Sequence, residues 1–260
     1  MSDLLRPLSV LADGEPFASG CRFRLAGKAR TGLFPSLFLL QCRDLKDPDF
    51  LRLSRTRELA VLRGDSCLAA GVVSDVYRQT VPEGTLTTAA FSLGLDLWEA
   101  QVSVSVEAGV SLSETVRRLL LASGTGVRLL SLPGADPVRS RGQAFFGRAA
   151  ECVSSALSAA SARGYLVPAG LCVIPKDPLP PSLHLSGKDL SDVPAFVDGG
   201  KKMILSTSVT GFQPGEEMTL EWEGRTLRGL ILERGVDADN VSGPWKTELL
   251  VEVRNGTSGI

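Results

Sequence analysis

The chain has 260 residues, of which 43% are hydrophobic and 22% charged, with 28 Lys and Arg against 29 Asp and Glu. That length allows one large domain or two to three small ones around a real core, and the balance is globular rather than disordered. A net charge of −1 excludes the basic surplus that steers proteins onto nucleic acid or anionic lipid.

The opening residues, Met1-Ser2-Asp3-Leu4-Leu5-Arg6, lack the charged-then-apolar layout of a secretory signal. No run approaches the ~18 apolar residues of a membrane span; the densest, residues 37–40, is a strand's worth. Cys21, Cys42, Cys67, Cys152 and Cys172 make an odd count without a C-x-x-C pair. Buried reduced thiols are expected rather than a disulfide framework or a zinc knuckle, which fits a reducing cytoplasm.

Residues 1–110 read as mostly strand. Residues 22–25 alternate polar and apolar, whereas the apolar run 37–42 suits a strand buried on both faces. Asp47-Pro48-Asp49 opens a short basic helix through Arg57, on which Arg52, Arg55 and Arg57 form a solvated face. Segments 59–62 and 72–80 flank a turn at Gly64-Asp65, and Val81-Pro82-Glu83-Gly84 turns into a strand over 85–93. Residues 102–106, Val-Ser-Val-Ser-Val, alternate strictly with β-branched side chains.

Residues 111–175 change character. Ser111-x-x-Glu114 is a capping box, with Leu112, Val116, Leu119 and Leu120 on one stripe and Gly124 as a stop. Residues 127–132 are a strand candidate and 134–142 a loop. The spacing of Phe145, Phe146, Ala149, Cys152, Val153, Ala156, Leu157 and Ala160 predicts a second helix over 145–163, closed by Gly164. Residues 165–167 and 171–174 make a hairpin around Pro168-Ala169-Gly170. Residues 176–260 return to β. A proline-rich linker over 175–181 leads to strands at 204–209, 217–221, 226–233 and 248–253. Glu223-Gly224 is a tight turn, 235–243 a polar loop and 255–260 a frayed end.

Catalytic chemistry is missing. His184 is the one histidine, no Gly-x-Ser-x-Gly elbow accompanies it, and a satisfied strand histidine is the plain expectation. Asp237-Ala238-Asp239-Asn240 lacks the glycine and glutamate of a calcium loop. Gly124-Thr125-Gly126, Gly187-Lys188 and Gly200-Lys201 match no nucleotide-binding pattern. Glu216, Glu217, Glu221 and Glu223 are close enough to invite a glycosidase pair. Alternation instead sets Glu217, Glu221 and Glu223 on a solvated face opposite Met218, Leu220 and Trp222. No catalytic, cofactor-binding or metal-binding residue is assigned, and no cofactor is expected.

The order of segments is the stronger signal. Ser36-Leu-Phe-Leu-Leu-Gln-Cys-Arg-Asp44-Leu45 fits a phrase "aromatic-x-(I/L)-x-(I/V)-x-N-L", with Asp44 in place of the usual Asn. Gly71 to Arg78 follows "G-x-I/V-x-x-x-Y/R", and residues 102–116 make a strand-to-helix step. Phe145-Phe146-Gly147, the strand pair after Gly164, Phe212-Gln213-Pro214-Gly215 and Gly243-Pro244-Trp245-Lys246-Thr247 complete the order. In that order the chain resembles the baseplate or tail-tip hub family of Mu-like and related long-tailed phages and prophages.

The resemblance implies an α+β, mostly β protein: two β-barrel-like tube modules, 1–110 and 176–260, flanking an α/β middle domain, 111–175, with two helices. It implies a trimeric ring that joins the six-fold tail tube to the three-fold spike, without enzymatic activity. The implied partners are copies of the chain itself and the tail tube, central spike and tape measure proteins. DNA would pass through the lumen without specific binding, and the chain itself would not insert into a membrane. The implied location is the virion tail, after folding in the host bacterial cytoplasm. The alternatives are a carbohydrate- or receptor-binding tail accessory, and a cell-wall hydrolase acting through the glutamates.

Overall fold

The structure is a computed structural model and describes residues 8–254, apart from 19, 65, 133, 176–178 and 241–244. It is mostly β with a helical minority. Strands β1 (Leu8–Ala12), β2 (Glu15–Pro16), β3 (Arg22–Arg30) and β4 (Ser36–Arg43) come first. Helix α1 (Asp47–Arg55) carries Pro48 and two aspartates in its first turn and Arg52 and Arg55 in its last, as the helix dipole favours. Strands β5 (Glu58–Arg63), β6 (Ser66–Val81) and β7 (Gly84–Leu93) follow.

A short helix α2 (Leu95–Glu99), which the sequence pattern did not announce, then leads to β8 (Gln101–Val106), α3 (Leu112–Ser123), β9 (Leu129–Ser131) and β10 (Gln143–Arg148). After α4 (Ala149–Ser158) come β11 (Arg163–Val167), β12 (Gly170–Ile174), β13 (Leu183–Ser186) and β14 (Ala195–Val197). The described chain closes with β15 (Lys202–Thr207), β16 (Glu217–Trp222), β17 (Arg225–Asp239) and β18 (Lys246–Val253).

Thirteen strands form one sheet in the order β14-β15-β18-β17-β3-β4-β7-β6-β5-β1-β2, with β16 branching from β17 and β13 from β16. Among the described residues no pairing closes this path into a barrel. The early and late strands are thus joined, because β17 pairs with β16 and β18 on one side of the chain's history and with β3 on the other. The rest is a β8–β10 ribbon and a three-stranded β11-β12-β9 sheet.

A bulge lets β17 serve two cores. The register with β18 slips between Ile231 and Glu233, leaving Leu232 as the extra residue. Before the slip Ile231 packs with Met218, Leu220 and Leu249; after it Val236 and Ala238 pack with Leu25 and Leu40. A one-residue insertion reverses the parity of inward-facing positions. A third core gathers Leu97, Val102 and Val106 with Leu112, Val116 and Leu119 of α3 and Val153 and Leu157 of α4.

Four local expectations change. Strand β4 is buried on one face only: Phe38, Leu40 and Cys42 point inward, while Leu37 is half exposed. The second helix does not begin at Phe145. Residues 143–148 pair with β8, burying Phe145 and leaving Phe146 88% exposed. The same spacing fits helix and strand, and pairing with β8 decides between them. Gly164 does not cap that helix but lies inside β11, where a Cβ would meet Leu157 and Leu171. Residues 235–239 are not loop but the end of β17; residues 241–243, Asp65, 176–178 and 255–260 lie outside the described residues.

Candidate functional site

The junction between early and late strands centres on Arg234 of β17, 5% exposed. Its Nη1 donates to the Phe212 carbonyl at 3.1 Å and its Nη2 to the Leu68 carbonyl. Leu68 is the extra residue where the β5–β6 register slips, so its carbonyl falls outside the ladder. The guanidinium supplies the missing donor, and its Nε is left without a partner. Burial lowers the Arg234 pKa, against the favourable fields of Cys67 and Glu216. Burial also raises the Glu216 carboxyl, although the Gln213 N–H and Arg234 oppose that shift.

Phe212-Gln213-Pro214-Gly215 turns into this junction. Glu216 Oε2 accepts from the Gln213 N–H at 2.8 Å, and the Gly215 N–H donates to the Ile231 carbonyl at 2.7 Å. Gly215 holds φ +90, and a Cβ there would lie 2.4 Å from the Tyr165 ring. Burial pushes the Tyr165 hydroxyl well above its usual range, with Cys172 adding to the shift. A single small turn thereby meets β17 through Arg234 and Ile231 and β11 through Tyr165.

Asp44 explains why an Asp can stand where the resembled phrase has Asn. It adopts φ 50 at the end of β4, and its Oδ1 accepts from the Thr85 N–H at 2.9 Å. Both Asn and Asp tolerate this left-handed geometry and can accept that bond.

The acidic candidates of the sequence sit in different surroundings. Glu217 is not solvated: it is 4% exposed and bound to Arg254 at 2.5 Å. Burial raises its pKa, with Arg254 opposing. Glu221 and Glu223 are exposed. Asp237 and Asp239 pair with Arg24 at 2.9 Å and Arg22 at 3.2 Å, and Asn240 accepts from the Phe23 N–H. The stretch that faintly suggested calcium is a seam sewing β17 to β3. His184 shares a 2.5 Å hydrogen bond with Thr219 across the parallel β13–β16 pair. Among the described residues no group of His, Cys, Asp and Glu could hold a metal ion. Among the described residues no helix is long and apolar enough to cross a membrane. All five cysteines are free, and burial drives the Cys42 thiol up to about 12.

Among the described residues, apolar side chains stand exposed at β14 and on the β8–β10 ribbon. Strand β14 ends the large sheet with every residue exposed; Phe196 is 51% exposed and nearby Val193 74%. Phe146 stands on the outer face of the β8–β10 ribbon. Exposed apolar strand edges of this kind are templates for pairing with another chain. Sequence reasoning missed both Arg234 and these edges. An arginine amid apolar strand residues was the available signal for the first. Exposure of β14 depends on the sheet order, which has no local signature.

This geometry is a mostly-β fold with a buried polar junction and an exposed strand at one end of its large sheet, and solved structures share the fold. A tail protein from Neisseria meningitidis superimposes with a TM-score of 0.72 at 11% identity, covering 95% of this chain and 96% of that one. The 43 kDa tail protein of prophage MuSo2 from Shewanella oneidensis gives 0.66 at 9% identity, over 95% and 96%. An E. coli component of the type VI secretion system, described as structurally similar to the T4 tail proteins gp27 and gp5, gives 0.67 at 11% identity, over 96% and 79%. No protein-family model and no curated protein matches the sequence. The chain therefore has the fold of phage-type tail proteins.

Proposed function

We propose that the chain is a structural baseplate or tail-tip hub of a phage or phage-derived tail. Three copies form a ring that meets the six-fold tail tube above and the three-fold spike below. The observation that carries this proposal is the joining of early and late β units through β17, in a fold shared end to end with tail proteins. Two β units per subunit let a trimer offer six equivalents to one partner and three to the other. The uncovered β14 edge supplies a surface for contact between subunits.

In this proposal the chain divides into two tube modules, 1–110 and 176–260, around a middle unit, 111–175, on which residues 95–106 also pack. It carries no enzymatic activity and works in the virion tail after assembly in the host cytoplasm. Its partners are the tail tube, spike and tape measure proteins, and DNA crosses the lumen without specific binding. The carbohydrate- or receptor-binding alternative has no observation that favours it.

Light scattering over a concentration series, followed by negative-stain imaging, tests the proposal. Three-fold rings with a central hole, alone or on co-expression with the spike, are expected. A monomer at every concentration and with the spike present refutes it.

A further inference from the structure

The loop between β9 and β10 builds a groove that the hub proposal does not use. Residues 137–139 run antiparallel to 109–112: the Leu112 N–H donates to the Pro137 carbonyl, the Arg139 N–H to Val110 and the Gly109 N–H to Arg139. Val138 lies opposite Ser111. In that pattern the N–H and C=O of Val138 point away from 109–112, and no described backbone group meets them. The Val138 side chain is 63% exposed.

Beside this short free edge is a groove of about 280 Å³, lined by Ala156 of α4 and by Ala159 and Ala160 just beyond its end, together with Val138, Arg139 and Arg141. These alanine side chains are small and leave the groove open. Arg139 lies over the Phe145 ring at 5.4 Å, which fixes its direction. Arg141 has no ion-pair partner among the described residues, and no carboxylate lines the groove. The nearest acid in sequence, Asp136, is turned to α3, where it accepts from the Ser113 N–H at 2.8 Å and the Ser113 hydroxyl at 2.6 Å. A free strand edge, a small-residue lining and two uncompensated cations therefore share one place.

We propose that this groove docks an extended acidic segment of a partner protein, which adds a strand along 137–139 and sets carboxylates against Arg139 and Arg141. Main-chain bonds give such strand addition its affinity, and the flanking charges give its selectivity. Alternate side chains of the incoming strand would face the alanines, so small or β-branched residues between the acids suit it.

The test uses the full chain and a fluorescein-labelled peptide of alternating Glu and Val, followed by fluorescence anisotropy. Its Lys-for-Glu analogue and oligothymidylate serve as competitors. Saturable binding of the acidic peptide is expected, weakened about tenfold or more in Arg141→Glu. The Val138 amide resonance should shift on binding, a readout that holds even if a variant fails to fold. Absence of binding, equal binding by the basic analogue, displacement by oligothymidylate, or amide shifts confined to another surface would each overturn the proposal.

Discussion

Replacing Arg234 should loosen the molecule at the seam between its early and late strands. The side chain satisfies two buried carbonyls, Phe212 and the bulge residue Leu68, and its charge faces Glu216. Hydrogen bonds from a charged donor are worth about 1.5–3 kcal/mol each, so losing both removes about 3–6 kcal/mol. Against this, a buried guanidinium with an unpartnered Nε carries its own desolvation penalty, which any neutral substitute relieves. Arg234→Met keeps the length of the side chain and should cost about 2–4 kcal/mol, and Arg234→Ala about 1–2 kcal/mol more because it also leaves a cavity. For a chain of this size each kcal/mol moves the melting temperature by about 2–4 °C, so Arg234→Met should melt about 4–16 °C lower. Thermal and urea unfolding followed by circular dichroism measure this, and hydrogen exchange should show early loss of protection near Leu68 and Phe212. An Arg234→Met protein as stable as the parent would refute the claim that these two carbonyls depend on Arg234.

Other outcomes follow from the same reasoning. Partial burial works against the Asp136 charge, but the Ser113 hydrogen bonds outweigh it and hold the carboxyl below its ordinary value. The unfolded chain therefore binds its proton more tightly. The associated stability is full above the ordinary carboxylate range and is lost as pH falls through the lowered folded value. Asp136→Asn should lower the urea midpoint at neutral pH and have a smaller effect in acid, as urea titrations across pH would show. Gly215→Ala should destabilise by more than ~1 kcal/mol, since it adds a left-handed strain to the clash with Tyr165; Gly224→Ala, with open space around it, should cost less in the same thermal melts. Phe196→Lys should leave the melting temperature of the subunit within ~2 °C but abolish rings in negative stain, and persistence of the rings would remove β14 from the subunit contact.

Much of the fold was legible locally because its signals are local. Period-two alternation announced β3 and β8, and Glu223-Gly224 occupies the left-handed turn expected of it, with φ 48 and φ 73. Ser111 caps α3 by accepting from the Glu114 N–H, and Gly124 ends that helix at φ 68. Only the reciprocal half of the capping box differs: the Glu114 carboxylate turns to Arg118 at 2.9 Å. Intrinsic preferences of a few residues suffice for such features, whatever surrounds them.

The sequence by itself determined the mostly-β α+β class, most strand positions, the two caps of α3, the Glu223-Gly224 turn, and an order of segments resembling a tail protein. The tertiary structure alone decided three other things. It made residues 143–148 a strand, because β8 lay across from them. It buried Glu217 and Arg234, because Arg254 and two stray carbonyls waited there. It merged the early and late strands into one sheet through β17, whose bulge reverses which face points inward. Each of these depends on residues far apart in the chain meeting in space, and a local pattern carries no record of the partner it will meet.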